Sequence, residues 1–434
     1  MASGFYYQGG ILRGDEIALP ELAALYPTPF YCYSRQKIIA NYQRFDKALA
    51  AAGIEQRQIC YSIKANGALA IINTLAQAGA GADIVSGGEL VRALRGGISA
   101  DKIVFSGVGK TAEEIRAGFA ATIARFNVES LDEIDMIAAL ARDRGKVAKL
   151  AVRINPDIEA GGHTKISTGK AEDKFGIAYE NAVAAYAHIA ALDGVEAQGI
   201  DIHIGSQILD LTPFRHAFAR VRDLLTTLRS AGHNITHLDL GGGLGVPDET
   251  DSPPLDITAY ANLIAETFKD CAPQGQCHIT LEPGRALVAD AGVLITRVIR
   301  TKKSAPNQKS TKNFMIVDAS MAELIRPTLY DAYHHIAPLT EPEKETPIYQ
   351  WDIVGAICES GDILGLGRTL PAMPADTPLA IFHCGAYASV LASHYNARPH
   401  IAEVMIDKDT HQIIRPRQTY DELLAGETIP DWNQ

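Results

Sequence analysis

Eight short runs of β-branched or apolar residues recur along the chain, separated by segments with apolar residues at helical spacing. The runs, in chain order, are QICYSI (58–63), ADIVS (82–86), KIVFSG (102–107), RFNVES (125–130), KLAVRINP (149–156), AQGIDIHIGS (197–206), THLDLGGG (236–243) and HITLEPGR (278–285). Strands that alternate with helices at this spacing predict parallel βαβ units. Eight such units predict a (β/α)8 barrel, a TIM-like fold of the α/β class.

The pattern changes after the eighth run. Apolar runs such as NFMIVDAS and PLAIFHCGA are now separated by Pro- and Gly-rich turns instead of long helices, which predicts a mostly antiparallel β domain. Near the start of the chain, Tyr6, Tyr7 and Ile17 predict a further strand of that domain. The polar segment 302–313 predicts an exposed loop. The predicted domains are a barrel over 35–284 and a β domain made of 1–34 and 285–434.

Composition excludes several classes of protein. Forty Lys and Arg residues against fifty-one Asp and Glu residues leave a net charge of −11, which argues against a nucleic-acid partner. No apolar run reaches the length of a membrane-spanning helix, and the first residues do not resemble a secretory signal. Six cysteines form no CxxC pair, which favours reduced thiols, and no metal site is predicted. We therefore expect a cytoplasmic enzyme with a small-molecule substrate.

Charged residues and glycines follow the predicted strands at one end. In (β/α)8 barrels, the catalytic groups lie at the carboxyl-terminal ends of the strands. These positions hold Lys64, Asp83, Ser86, Arg153, His203, Ser206, Gly241, Gly242, Gly243, Glu282 and Arg285. We expect these side chains and glycines to meet at one mouth of the barrel.

Three of these features together indicate a cofactor, although each has an ordinary structural explanation. Lys64 is either a solvated lysine or a Schiff-base lysine. The glycines of 241–243 form either a tight turn or a phosphate-binding turn, and EPGR (282–285) adds a carboxylate and an arginine. A lysine, a phosphate-binding turn and a carboxylate at one barrel mouth indicate pyridoxal 5′-phosphate (PLP).

The motifs YSIKAN, HIGSQ, GGGLG, EPGR, CESGD and GAY occur in this order. In order and spacing, over nearly the whole chain, they resemble the diaminopimelate decarboxylases, which belong to the alanine-racemase-like group of PLP enzymes (fold type III). The resemblance implies a barrel with a β domain and a homodimer with active sites at its interface. It also implies decarboxylation of meso-2,6-diaminopimelate to L-lysine and CO2, the last step of lysine biosynthesis.

The resemblance also implies roles for the residues at the cofactor. Lys64 would carry PLP, and His203 would stack on its ring, unless that histidine is an ordinary hydrogen-bonded core residue. Glu282 would pair with the pyridine nitrogen and keep it protonated; the alternative is a loop carboxylate paired with Arg285. Asp83 and Arg153 would lie near the lysine, although a structural ion pair explains them equally well. The remaining predicted cofactor ligands are Ser206, Gly243, Gly284, Arg285 and Tyr387.

The predicted substrate residues are Arg285, Arg326, Tyr330, Glu359 and Tyr387. In the family, the residues at these positions bind the far end of a substrate that carries both an amine and a carboxylate. An arginine offers a planar fork that matches a carboxylate, and Glu359 offers a partner for an ammonium group. Outside this context, Arg326 would be a surface arginine ahead of Pro327.

The resemblance makes Cys358 the proton donor, reaching the site from the partner subunit, whereas most free cysteines are small buried hydrophobes. The segment 161–176 resembles a mobile lid, with an ordinary surface loop as the alternative; His163 and Lys174 receive no role. Rival functions are a decarboxylase of another diamino acid (carboxynorspermidine, D-ornithine or D-lysine), a racemase, and a non-catalytic PLP-binding homologue. A scaffold protein would leave the clustering at the strand ends unexplained.

Overall fold

The computed structural model describes residues 4–159, 169, 172–247, 253–270, 277–304 and 312–433. Most of the predicted lid over 161–176, including His163, lies outside these residues, as does most of the predicted loop over 302–313. The chain divides into two compact units. The barrel unit comprises Ile38–Pro247 and Pro253–Val288, and the β unit comprises Met1–Lys37 and Ala289–Gln434.

The β unit begins with a small antiparallel sheet. Its strands β1, β2 and β3 pair in chain order, and Tyr6 and Tyr7 lie in the first of them. A fourth strand, β4, lies in a different sheet, formed with strands from the end of the chain. The elements are β1 (Phe5–Gln8), β2 (Ile11–Gly14), β3 (Ile17–Ala18), α1 (Leu19–Leu25) and β4 (Phe30–Ser34).

All eight predicted barrel strands are present, and the predicted barrel is confirmed. They pair in parallel, and β9 pairs with both β8 and β11, so that the sheet closes on itself. A two-residue strand, β10, adds to the edge of β9. The strands are β5 (Arg57–Ser62), β6 (Gly81–Ile84), β7 (Ile103–Phe105), β8 (Arg125–Val128), β9 (Ala148–Asn155), β10 (Ile177–Ala178), β11 (Val195–Asp201), β12 (His237–Asp239) and β13 (His278–Leu281).

Several of the barrel helices start at a residue whose side chain caps the helix. The hydroxyl groups of Ser86, Thr111 and Ser130 each accept a hydrogen bond from a backbone N–H in the first helical turn. Ser86, one of the residues at the strand ends, therefore has a structural task. The helices are α2 (Arg35–Ala51), α3 (Leu69–Ala78), α4 (Gly87–Arg95), α5 (Ala112–Ala121), α6 (Leu131–Arg142), α7 (Ala182–Ala190), α8 (Thr212–Ser230), α9 (Ile257–Phe268) and α10 (Arg285–Val288). No helix in the described ranges is both long and apolar enough to cross a membrane.

The rest of the β unit is a mostly antiparallel sheet, as predicted. β14 is its central strand and pairs antiparallel with β4, β15 and β19, whereas β15–β17 and β20–β4 pair in parallel. The elements are β14 (Gly292–Lys302), β15 (Phe314–Val317), α11 (Arg326–Tyr330), β16 (Ile336–Pro338), β17 (Ile348–Val354), β18 (Ile363–Pro371), β19 (Pro378–Ile381), β20 (Ala402–Asp407), β21 (Thr410–Arg415) and α12 (Tyr420–Leu424).

The two units bury different kinds of side chain. In the β unit, alternate residues of β4 and β14, such as Phe30 and Val293, face one apolar core, as the two-residue period of a strand requires. The barrel also buries acidic and amide side chains on its strands, including Asp83, Asn127 and Asp201. Burying polar groups carries a large desolvation cost unless they are paired, so these buried side chains indicate where in the barrel a functional site lies.

Candidate active site

Lys64 lies at the predicted mouth and is held by a buried carboxylate. β5 ends at Ser62, and the chain then makes a short 3-10 turn that carries Lys64. The Lys64 Nζ atom lies 2.7 Å from Oδ2 of Asp83, which also accepts a hydrogen bond from the Ser62 hydroxyl at 2.8 Å. Burial raises the pKa of Asp83, but Lys64 and the neighbouring hydroxyl groups outweigh burial and leave the pKa lowered. Asp83 therefore stays ionised and orients a lysine whose side chain is 37 % exposed.

Glu282 follows β13 and lies in a buried polar cluster. Its Oε1 atom accepts hydrogen bonds from the Ser106 hydroxyl and the Asn127 amide, each at 3.3 Å. Carboxylate oxygens of Glu282, Asp201 and Asp239 lie within 4.8 Å of one another. Burial, with the charges of these neighbouring acids, raises the pKa of Glu282 well above its usual range. Within the described ranges Glu282 forms no ion pair, so the alternative of a carboxylate paired with Arg285 is wrong.

A high proton affinity at Glu282 has a chemical use. The buried acidic cluster that raises this pKa also favours a positive charge beside it, so a protonated ring nitrogen next to Glu282 would be stabilised. Asp201 and Asp239 come from β11 and β12, and they were missed in the sequence analysis. The signal was available, because each aspartate is the last residue of its strand, at the end of the barrel that carries the other reactive residues.

The glycine turn after β12 approaches neighbouring backbone too closely for a side chain. A Cβ atom on Gly241 would lie 2.2 Å from the Ile202 carbonyl oxygen, and one on Gly243 would lie 2.4 Å from that of Gly205. The N–H groups of Gly243 and Gly284 donate no hydrogen bond within the described residues. Free backbone donors without side-chain obstruction suit a phosphate group, so the turn fits the phosphate of PLP.

Ser206 and Arg285 lie together at the same turn. The Arg285 Nη2 atom donates a hydrogen bond to the Ser206 hydroxyl at 3.1 Å, and the arginine is 8 % exposed. A buried guanidinium beside a hydroxyl and free backbone donors adds positive charge for an anion. The predicted phosphate ligands are therefore brought together.

Replacing Gly243 by alanine should weaken PLP binding and destabilise the fold. The new Cβ atom would overlap the Gly205 oxygen at a residue whose φ is +93°. Gly232 provides a matched control, because it has φ +89° and open space where a Cβ atom would lie. We expect the free energy of unfolding to fall by about 1–3 kcal/mol more in Gly243→Ala than in Gly232→Ala. Denaturant unfolding and equilibrium dialysis of PLP measure both effects; equal losses in the two variants would contradict the proposed crowding.

His203 follows β11 and is fixed by the glycine turn. Its Nδ1 atom accepts a hydrogen bond from the Gly242 N–H at 3.2 Å, which leaves the proton on Nε2. Burial, followed by the charges of Arg153 and Lys64, lowers the pKa of His203 to about 3. His203 is therefore a neutral imidazole at neutral pH, which is compatible with the predicted stacking on a cofactor ring.

Arg153 is not paired with Asp83. It lies in a separate buried network, where its Nη1 atom is 3.0 Å from Oε1 of Glu129. Glu129 also accepts hydrogen bonds from the N–H groups of Gly107 and Gly176. This network joins the ends of neighbouring barrel strands, so that Arg153 has a structural task whether or not it also acts on the cofactor.

The predicted substrate residues of the β unit include one buried arginine. Arg326 is the first residue of α11 and is 6 % exposed, so the alternative of a surface arginine is wrong. Its Nη1 atom lies 2.9 Å from Nε2 of His334, whose Nδ1 donates to the Phe382 carbonyl oxygen at 2.7 Å. This chain of bonds makes His334 a neutral acceptor and fixes the guanidinium. Tyr330 and Tyr387 are partly buried.

Cys358 is exposed, so the alternative of a buried hydrophobe is wrong. Its backbone N–H donates to the Asn396 side chain at 3.2 Å, and the Tyr395 hydroxyl donates to Oε2 of Glu359 at 2.7 Å. Tyr395 and Asn396 were missed in the sequence analysis, since no motif links the HYNAR segment to CESGD. The structure places a thiol and a carboxylate side by side on the surface of the β unit.

Comparisons with known proteins identify the family. The family model for the pyridoxal binding domain of pyridoxal-dependent decarboxylases matches residues 35–289. A diaminopimelate decarboxylase from Zymomonas mobilis is 46% identical, with 99% of each chain covered. The solved diaminopimelate decarboxylase from Helicobacter pylori, complexed with L-lysine, is 36% identical with a TM-score of 0.87, covering 94% of this chain and 98% of that one. The enzyme from M. jannaschii, also in complex with L-lysine, is 36% identical with a TM-score of 0.91, covering 98% of each chain.

Proposed function

The chain belongs to the diaminopimelate decarboxylase family of pyridoxal-dependent decarboxylases, and we propose how its residues convert meso-2,6-diaminopimelate to L-lysine and CO2. It is a PLP-dependent carboxy-lyase of lysine biosynthesis. The observation that carries the residue assignment is the pairing of Lys64 with buried Asp83 at the same end of the barrel as the protonatable carboxyl of Glu282.

PLP, when bound, supplies an electron sink for the electrons that remain when CO2 leaves. Lys64, which Asp83 orients, would hold the cofactor covalently. Glu282 holds a proton at the pyridine nitrogen, and His203 presents a neutral ring at the same mouth. Gly243, Gly284, Ser206 and Arg285 bind the phosphate through their free N–H groups, hydroxyl and guanidinium.

The substrate is selected by charge at its far end. Arg326 is fixed by His334 and offers a planar donor pair for a carboxylate. Glu359, hydrogen-bonded to Tyr395, offers a negative charge for an ammonium group. A diamine precursor without the far carboxylate would leave the arginine unpaired, which is a costly mismatch. The proposed substrate residues are Arg285, Arg326, Tyr330, Glu359 and Tyr387.

Replacing Glu359 by glutamine should mainly weaken substrate binding. The neutral amide keeps the hydrogen bond to Tyr395 but loses the charge, so we expect KM for diaminopimelate to rise about 10-fold or more, with a smaller change in kcat. Glu343→Gln is the matched control, since Glu343 is also an exposed glutamate of the β unit. Steady-state kinetics measures both constants. An unchanged KM would contradict the role of Glu359.

The proposed assembly is a cytoplasmic homodimer in which each subunit supplies Cys358 to its partner's site. Exposure of the Cys358 thiol supports this proposal, because a proton donor that acts across an interface has to lie on its own subunit's surface. In the proposed step, the thiol returns a proton to the carbon that has lost CO2. Mixing a Cys358→Ala subunit with a Lys64→Ala subunit should restore one complete site per mixed dimer. Absence of restored activity in dimers shown to be mixed would overturn the proposal.

The experiment that tests the function is CO2 release from PLP-loaded protein with meso-diaminopimelate, L-ornithine, D-ornithine and D-lysine in parallel. We expect release from diaminopimelate with L-lysine as the product. Release from another substrate alone would keep the cofactor roles but overturn those of Arg326 and Glu359. PLP binding without release from any of the four would overturn the proposed catalytic roles.

A further inference from the structure

A cavity of about 600 Å³ opens at the amino-terminal ends of the barrel strands. Three of its lining residues are the first residues of their strands: Arg125 of β8, His237 of β12 and His278 of β13. Catalytic groups of (β/α)8 barrels lie at the opposite end, where Lys64 and Glu282 are found. The cavity is therefore separate from the candidate active site, and none of the functions proposed above uses it.

The lining of this cavity is cationic in a chain that is acidic as a whole. Its charged residues are Lys102, Arg125, Lys146 and Lys149, with Asp101 as the one acid among the described lining residues. The whole chain has a net charge of −11. A concave site lined by one sign of charge raises the local concentration of ions of the opposite sign. The cavity therefore favours anions.

Arg125 is the buried cation of this lining. Arg125 is 5 % exposed, and its Nη2 atom donates to the Thr280 hydroxyl at 2.7 Å. Within the described residues, no carboxylate lies within 4.0 Å of the guanidinium, and its Nε atom has no acceptor. The charge of Arg125 acts to lower the pKa of Asp239, but the two side chains are too far apart to form an ion pair. Burying a cation without a contacting anion is costly, so a ligand that supplies that anion would gain a charge-assisted bond.

Two neutral histidines lie beside the arginine. The rings of His237 and His278 stack, with centroids 5.1 Å apart. Burial and the charge of Arg125 lower the pKa of both, that of His237 to about 3. The buried Nδ1 atom of His278 has no hydrogen-bond partner in the described part of the chain. This buried nitrogen is an unused hydrogen-bond donor beside Arg125, and an oxyanion held by Arg125 would reach it after a small shift of the imidazole ring.

Another part of the lining is apolar. Val104, Phe119, Ile123 and Phe126 contribute to it, and all except Ile123 are themselves buried. A ligand with both an anionic group and an apolar body would match the two kinds of surface. An inorganic anion would use only the first.

We propose that this cavity binds a small organic oxyanion, a carboxylate or a phosphate ester, whose charged group is held by Arg125 and His278. The lysines at the rim attract the ligand, and the side chains of Phe119 and Ile123 contact its apolar part. The proposal concerns a binding site distinct from the one that holds substrate. Binding at this site can therefore be measured without measuring decarboxylation.

Calorimetric titration of the PLP-loaded protein with benzoate and with phenyl phosphate tests the proposal. Bound PLP fills the phosphate site at the other end of the barrel, and the Arg125→Gln variant separates binding in the cavity from any carboxylate binding at Arg326. We expect one site for at least one of the two probes. Its affinity should fall about 10- to 100-fold in Arg125→Gln. Binding of benzoate but not phenyl phosphate would indicate that the natural ligand is a carboxylate. Binding of phenyl phosphate but not benzoate would indicate a phosphate ester.

The rim lysines give a second test that leaves Arg125 and the two histidines unchanged, although Lys146 also donates a hydrogen bond to the Phe119 carbonyl oxygen at 2.9 Å. The double variant Lys146→Gln, Lys149→Gln should weaken binding about two- to five-fold, as expected for exposed charges. Lys47→Gln is the matched control, because Lys47 is an exposed lysine of α2 that does not line the cavity. Binding of neither probe to the unmodified protein would overturn the proposal. Unchanged affinity in a folded Arg125→Gln variant, or in the double variant, would overturn it as well.

Discussion

Replacing Lys64 by arginine should abolish decarboxylation and the absorbance of lysine-bound PLP. Arginine keeps a positive charge opposite Asp83, so the buried carboxylate retains a partner, but its guanidinium does not form a Schiff base. We expect kcat to fall by about 10⁴-fold or more, since the residue acts as the covalent anchor. Stopped assays of CO2 release and the visible absorbance spectrum measure the two effects.

Two further variants make this test specific for Lys64. Lys64→Ala should lose activity equally but also lose stability, because it leaves the Asp83 carboxylate buried and unpaired at a cost of about 3–5 kcal/mol. Lys47→Ala changes an exposed lysine on α2 and should alter neither absorbance nor rate. Full turnover in a purified Lys64→Arg protein would exclude Lys64 as the lysine that carries the cofactor.

Replacing Glu282 by glutamine should reduce kcat by about 10²- to 10⁴-fold while PLP stays bound to Lys64. Glutamine can still accept the hydrogen bonds from Ser106 and Asn127, but it provides no charge opposite a protonated ring nitrogen. The cofactor would then accept electrons less readily as CO2 leaves. Single-turnover kinetics, together with the absorbance of the bound cofactor, separates this loss from loss of PLP.

Stability without PLP distinguishes a chemical role of Glu282 from a structural one. Its pKa is raised in the folded protein, so its contribution to stability is present at low pH and is lost as the pH rises through the raised pKa. The neutral variant avoids that loss and should be at least as stable as the unmodified protein at pH 8. Glu89→Gln is the matched control, because burial also raises the pKa of that glutamate, to about 7. A rate loss in Glu89→Gln as large as that in Glu282→Gln would contradict a specific role.

The barrel was predictable because its signals are local. Each strand is a short apolar run with its own turn residues, and several of the following helices begin at a capping residue such as Thr111 or Ser130. The direction of the chain then decides that Lys64, His203 and Glu282 follow strands at the same end. The position of the glycine turn after β12 was predictable for the same reason, whereas its close approach to Ile202 and Gly205 was found only in the structure.

Pairings between distant residues were not predictable in this way. From the sequence, Asp83 could form an ion pair with either Arg153 or Lys64. The structure shows that Asp83 pairs with Lys64 and that Arg153 pairs with Glu129. The sequence left Arg326 between a surface and a buried position, and the structure buries it beside His334. The exposure of Cys358 is likewise a tertiary property, since the preceding run IVGAI predicts burial.

The sequence alone therefore determined the order of strands and helices, the end of the barrel that carries the reactive residues, and the motifs that identify the family. These follow from local propensity and chain direction. Only the tertiary structure decided which acids share the interior with Glu282, which cation pairs with which carboxylate, and where Arg125 is buried without a contacting acid. The reason is physical: burial and Coulomb interactions depend on distances between residues far apart in the chain, and no local pattern encodes those distances.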